Sequence, residues 1–428
     1  MVATVLLCAG NAVVAQVPIA HNAELPLVDA LRLAAERSGT LVAQQAARNA
    51  APEAAGAAGR LPDPVFKAGI SNLPVNGTDA GSLTRDFMTM RTIGIAQEFT
   101  RDEKRRAREA RFERAADVAD AGRAVALSNV QRGTAMAWLD RYYRERIVEL
   151  LVAQRSEARL QVETAEAAFR SGRGAQADVL AARSAAAQIE DRIGQAESQA
   201  RGARLSLLRW IGSAAERPLG TPPVLTITRL ELDHLEPGLQ HHPDLALMVR
   251  QEDAARAEVA VAQSEKRSDW SFELMYSQRG PAYSNMVSVV VSVPLQWDQK
   301  NRQEREVASK LAQVEQMRAQ REETAREHLA ETQRWVQEWR SDLERLARYD
   351  DTLIPLATER SAAALATYRG GGPLSAVLEA RRAEIDTRIE RVRLEMETAA
   401  LWAQMEYLIP VDVANVPERR ATDGAKQP

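Results

Sequence analysis

The chain has 428 residues, 27% of them charged, and a formal net charge of -3. That is ample material for a core, with no basic excess to draw nucleic acid. Of the 56 basic residues only 6 are lysine, which reads as codon bias. The one cysteine, Cys8, falls in an apolar leader, so the mature chain is expected to use no disulfide and to suit an oxidising compartment.

Val2 to Ala15 has the length of a signal peptide, and Val13-Val14-Ala15 before Gln16 offers small residues for cleavage, so residues 1–15 are expected to be removed. No basic residue precedes the stretch, which points to a true start upstream. Leu7 is too bulky for lipid processing at Cys8. Nowhere else do eighteen apolar residues run together, so the mature chain is either soluble or crosses a membrane as strands.

Residues 24–212 form a first unit. Ala23 to Gly59 is Ala-rich and reads as a helix with Pro26 near its start. Strands are expected over about 65–73 and 87–99, joined by the turn-rich Pro74 to Gly81. A helical hairpin then covers about 103–212. Asp102 caps its first helix, which only Gly122 and Gly133 interrupt before Arg170. Such a helix is about 100 Å long, too long for a compact domain. Ser171-Gly172-Arg173-Gly174 reverses the chain, because a turn between helices needs positive φ and close approach.

A Pro- and Gly-rich linker at 213–236 leads to a second unit at 237–410. His241-His242-Pro243-Asp244 opens a helix, strands follow at about 270–278 and 285–297, and a second hairpin spans about 301–409. Leu329, Val336 and Leu343 fall seven apart, and Trp339, Leu346, Leu353 and Leu356 continue the stripe as a coiled-coil seam, with Thr332 its one polar member. Pro355 should kink the helix near its end. The first hairpin has no matching proline. Gly370-Gly371-Gly372-Pro373 makes the second turn, and residues 411–428 form a polar tail.

The two units are copies. Phe169 to Arg183 returns as Tyr368 to Arg381, Lys104 answers Lys300, and Trp210 answers Tyr407. A repeat of about two hundred residues is too large for a solenoid module, so it is a duplicated half that packs on its copy. In the strands, Trp270, Phe272, Leu274 and Tyr276 share one face, and in the strand after it Val287, Val289, Val291 and Val293 alternate with Ser288, Val290 and Ser292. Apolar residues facing lipid and polar ones facing a lumen give this pattern, with Phe66, Phe99 and Trp297 at the interfaces. A half-buried soluble sheet has the same period. Four strands cannot close a barrel, so a membrane reading requires several chains in one barrel.

Leu61-Pro-Asp-Pro-Val-Phe-Lys-Ala-Gly-Ile-Ser-Asn-Leu-Pro74, the junctions at Lys104 and Lys300, and the glycine turns followed by Asp178-Val-Leu-Ala-Ala or Ala376-Val-Leu-Glu-Ala resemble the TolC-like outer-membrane factors. The chain is most similar to their CzcC and CusC branch, which serves heavy-metal efflux. The resemblance runs from about residue 24 to 410. It implies a mainly α protein with a membrane β-barrel portion: a homotrimer with a twelve-stranded outer-membrane barrel, continued by a periplasmic α-helical barrel. It further implies the exit duct of a tripartite pump, with a periplasmic adaptor, an inner-membrane RND transporter and outer-membrane lipid as partners. The adaptor would engage the tips at Ser171, Gly172, Arg173 and Gly174 and at Gly370, Gly371, Gly372 and Pro373. Relatives close the tip with Asp, Arg and Tyr. Here the first copy keeps Asp178 and the second Tyr368 and Glu379, while Ala376 and Pro373 depart from the pattern. Asp178 could form a threefold ring of charge, or serve only as a carboxylate at a helix start.

The five histidines, at 21, 234, 241, 242 and 328, show no spacing that builds a metal site on one helix face, and no metal ligand or cofactor is assigned. Met88 and Met90 share a strand face and are weak soft-ligand candidates. No nucleophile and base pair and no phosphate loop argues for an enzyme. The rival readings are a duct for drugs or type I protein secretion, and a soluble periplasmic coiled-coil scaffold or adaptor.

Overall fold

The computed structural model describes residues 24–230 and 242–412. The expected leader, part of the linker and most of the polar tail lie outside the described residues.

The chain opens with α1 (Leu27–Arg37), which buries Leu27, Ala30, Leu31 and Ala34 at helical spacing. The single helix expected over 23–59 is in fact two. Ser38 adopts an extended ψ of 107°, and its hydroxyl accepts the Leu41 N–H at 3.3 Å to start α2 (Gly39–Ala58). A serine that satisfies an otherwise unpaired donor favours such a restart over continuation.

α3 (Asp102–Arg170) runs unbroken for 69 residues, about 100 Å. Its two interior glycines are packing sites. A Cβ at Gly133 would lie 2.4 Å from Trp210 Cζ2 in α4 (Gln176–Ile211), and one at Gly122 2.9 Å from Gln44 Oε1 in α2. Both residues therefore let neighbouring helices approach α3 closely. A short 3₁₀ turn at Gly212–Glu216 ends this half.

In the second half α5 (Pro243–Ser264) starts with His242 as its cap and proline in its first turn. Two strands follow, and then α6 (Gln303–Arg348), a π-helical turn (Tyr349–Leu353), α7 (Ile354–Arg369) and α8 (Leu374–Glu406). Pro355 accounts for the π turn: it offers no N–H and its ring crowds the carbonyl four residues earlier, so the helix loosens by one residue there. The extra residue rotates everything after it. Thr332, Val336, Trp339 and Leu346 are buried as the stripe predicts, but Leu353 and Leu356 are 39% and 57% exposed, and Ser361 is buried instead. The seam predicted beyond Leu346 is thus corrected by a change of helical phase.

The four strands form one antiparallel sheet in chain order: β1 (Val65–Ser71), β2 (Met90–Phe99), β3 (Trp270–Gln278) and β4 (Met286–Ser292). β2 begins later than expected because the Asp86 carboxylate accepts the N–H groups of Met88 and Thr89, at 2.7 and 3.2 Å, in a local turn. Met88 therefore lies outside the strand, and the Met88 and Met90 pair is not a strand-face site. β4 stops short of Pro294, which has no N–H for the ladder. The central β2 and β3 pair joins the two copies.

The largest core cluster lies where both copies meet, around Trp138, Leu139 and Tyr143 of α3, Leu207 of α4, Trp339 of α6 and Trp402 of α8. Here the two halves use the same device. The Trp138 indole donates to the Leu25 carbonyl at 3.1 Å, and the Trp339 indole donates to the Leu225 carbonyl at 3.0 Å. Leu25 also bridges Leu219 in parallel. The linker is thereby laced to the chain start as a collar across the helices.

Candidate functional site: the sheet, the hairpin tips and the collar

The sheet has two chemically distinct faces. Across the strands Phe66 pairs with Ile95, Leu274 and Val289, and the neighbouring row runs Ala68, Ile93, Tyr276 and Val287. These apolar side chains are exposed, Phe66 at 72% and Val287 at 67%. The opposite face carries Lys67, Thr92, Ser277 and Ser288, with an ion pair between Lys67 and Glu273. A continuous apolar face of this width is costly in water and matches a surface turned to hydrocarbon. β1 and β4 each have one edge that pairs with no described strand.

At the base of the sheet, Phe99 stacks on Trp270 with centroids 4.3 Å apart. Below it Lys104 is buried and bridges Asp269 at 2.8 Å and Glu265 at 3.0 Å, while Arg108 reaches Glu265 at 2.7 Å and the Arg101 N–H donates to Asp269 at 2.9 Å. Burial works to raise both carboxyl groups. The Lys104 ammonium and its neighbours overcome that and hold both below the ordinary range. Lys300, its counterpart in the sequence repeat, is exposed and precedes α6 in a turn.

The hairpin tips are built alike. Gly172 N–H donates to Phe169 O and Gly371 N–H to Tyr368 O, each at 3.0 Å; Arg173 N–H donates to Ala168 O at 3.0 Å and Gly372 N–H to Thr367 O at 2.9 Å. Gly172 and Gly371 have φ of 70° and 99°, the left-handed region open to glycine. Ser171 and Arg173 are exposed at one tip, Gly370 and Pro373 at the other, while Gly174 and Gly372 are half-buried against their own helix ends. The tips rest on each other through Ala165, Val179 and Ala182 of one hairpin and Leu374 and Val377 of the other. Farther up, Arg192 of α4 pairs with Asp386 of α8 at 2.7 Å.

No protein-family model and no curated protein matches the chain. Solved structures do. The outer membrane protein VceC of Vibrio cholerae superposes with a TM-score of 0.72 over 89% of this chain and 95% of its own, at 19% identity. The outer-membrane channel OprN gives 0.73 over 90% of each chain at 17% identity, and CusC gives 0.75 over 89% of this chain and 91% of its own at 13% identity. This chain has the TolC-like outer-membrane factor fold. The likeness covers about nine-tenths of the chain.

Within the TolC-like frame the three gate candidates do not converge on one site. The Asp178 carboxylate accepts the Ala175 N–H at 3.2 Å at the start of α4, the role of a helix-start carboxylate. Tyr368 packs against the tip cluster, and Glu379 is exposed and pairs with Arg360 at 3.3 Å. Ala376 is exposed one turn into α8.

One constellation escaped the sequence reading. His242, Asp244 and His328 come together from the cap of α5 and the middle of α6, with one candidate ligand atom from each within 4.8 Å of the others. The imidazoles lie face to face, centroids 4.3 Å apart and tilted by 30°. His242 is buried, and burial first, then His328, pushes it down to about 4, so it is neutral at neutral pH. The expectation from histidine spacing concerns one helix face, whereas these three residues come from two elements. Only the packing of α5 on α6 reveals the group.

Proposed function

We propose that the chain is the outer-membrane exit duct of a tripartite efflux assembly, extending into the periplasm and acting without chemistry of its own. The observation that carries this reading is the exposed apolar face of a four-stranded sheet with two open edges, set on helices about 100 Å long. Three copies would join β4 of one chain to β1 of the next and make a barrel of twelve strands, with six helical hairpins beneath. Likeness over nine-tenths of the chain to outer-membrane channels supports it.

In this reading a periplasmic adaptor grips Ser171 to Gly174 and Gly370 to Pro373, and an inner-membrane RND transporter supplies the energy. Asp178, Tyr368 and Glu379 lie near those tips and are the gate candidates. The cargo proposed is heavy-metal cations, on the resemblance to the CzcC and CusC branch. Similarity to VceC and OprN is as strong as that to CusC, and a duct for drugs or type I protein secretion is the second reading.

Two measurements test this. Membranes should release the protein only with detergent, as a trimer whose gel mobility changes on heating; recovery of a soluble monomer would remove the duct. Deletion of the gene should lower tolerance to metals, and unchanged tolerance to every metal would refute the cargo.

A further inference from the structure

The cluster of His242, Asp244 and His328 has a chemistry that the duct does not use. His242 Nδ1 accepts the Asp244 N–H at 3.2 Å, so this nitrogen carries a lone pair and no proton. It lies 3.7 Å from Asp244 Oδ2, and His328 Nε2 lies 3.8 Å from the same oxygen. An unprotonated nitrogen and a carboxylate oxygen thus face each other across a gap, acceptor against acceptor. A tetrahedral ion with bonds of about 2.1 Å spaces its ligands about 3.4 Å apart, within a few tenths of an ångström of these two separations, and all three ligand atoms lie within 4.8 Å of one another, so binding draws the two imidazoles together. Arg132, whose charge also reaches His242, is engaged with Asn129 Oδ1 at 2.6 Å.

We propose that His242, Asp244 and His328 bind one divalent transition-metal cation per chain. Two imidazole nitrogens and one carboxylate oxygen suit Zn²⁺, Cu²⁺ or Ni²⁺ and not Mg²⁺ or Ca²⁺, and three protein ligands leave a fourth position for water. The ion takes the place of the Asp244 N–H on Nδ1 and staples the first turn of α5 to α6. It is a fixture of the second copy. Two hundred residues before His328 stands Ser128, whose hydroxyl donates to the Tyr407 carbonyl at 2.7 Å. The proposal does not depend on the channel reading.

The test uses the full chain in detergent, stripped with a chelator and titrated with Zn²⁺ by calorimetry. One saturating ion per chain is expected, with a rise in Tm. His328→Gln and Asp244→Asn should each weaken binding at least tenfold, in the range of ligand and ligand-support losses, while leaving the metal-free Tm within a few degrees. Co²⁺ loading should give the intense visible bands of a tetrahedral site, absent in His328→Gln. Equal Zn²⁺ affinity in wild type and variants, or no saturable binding, overturns the proposal. If His328→Gln does not fold, the isosteric Asp244→Asn decides the matter alone.

Discussion

The two hairpins share a tip geometry down to the hydrogen bond and differ in the shaft above it. α3 reaches its glycine turn as one uninterrupted helix, whereas the second copy arrives through a π turn that rotates its final stretch. Arg391 of α8 holds that turn, with Nε on Asp350 Oδ1 at 2.7 Å and Nη2 on Asp350 Oδ2 at 3.1 Å. The difference teaches that duplication preserves the points of reversal while freeing the lengths between them. Leu353 and Leu356, turned outward by the rotation, are exposed.

The comparison breaks most sharply at the paired lysines. Lys104→Ala should destabilise the protein by about 2 kcal/mol, because it removes the buried ammonium shared by Asp269 and Glu265 and leaves them only the Arg101 N–H and Arg108. Lys300→Ala should stay within about 0.5 kcal/mol, as an exposed substitution does. Denaturant titration of both variants checks this, and equal losses would restore the equivalence that the sequence repeat implies.

At the tips the copies should respond alike. Nothing lies within 4 Å of an added Cβ at Gly172 or Gly371, so the main cost of valine there is the strained backbone, about 1–2 kcal/mol. Gly172→Val and Gly371→Val should each abolish efflux while trimers still reach the outer membrane. Normal efflux in either variant would sink the adaptor role of that tip.

The junction also makes a statement about pH. Asp269 and Glu265 are held below their ordinary values in the folded protein, so their contribution is complete above the unfolded carboxylate range and drains away as pH falls through the lowered values. Stability should therefore decline below about pH 4, and Lys104→Ala should flatten that acid limb. Smaller still is Arg391→Ala, under about 1 kcal/mol because Asp350 is half exposed. It should nevertheless speed hydrogen exchange over 349–353 and leave α3 unchanged. Smallest is Asp178→Asn, which keeps an acceptor for Ala175. Its single-channel conductance and response to divalent cations separate a helix-start carboxylate, which changes neither, from a charged ring, which changes both.

What the sequence made legible were features written within a few residues of one another. The alternation in Trp270 to Tyr276, the absence of breakers from Asp102 to Arg170, and the positive φ at Gly172 and Gly371 are local and were readable. Ser38 was hidden because a serine can sit in a helix or restart one, and only the direction of the next helix chooses. The phase change after Leu353 was half legible: Pro355 announced a distortion, but not whether it would bend the axis or insert a residue. His242, Asp244 and His328 were out of reach, since no periodicity records which face of α5 meets α6. The matched indole bonds of Trp138 and Trp339 could have been found, because Leu25 and Leu225 stand at nearly the same spacing as the two tryptophans.

The register of the sheet carries a consequence for how the chain is made. Arg91 pairs with Gln278 and Phe99 with Trp270, so the central ladder closes only after the entire first hairpin, the linker and α5 have been synthesised. Contacts so distant along the chain form late and slowly. Until then β1 and β2 are a greasy two-stranded ribbon, marginal by itself and open to aggregation. The ribbon is therefore the stretch of the nascent chain most open to aggregation, and the hairpins, whose contacts are nearer in sequence, are expected to fold first and wait for the sheet.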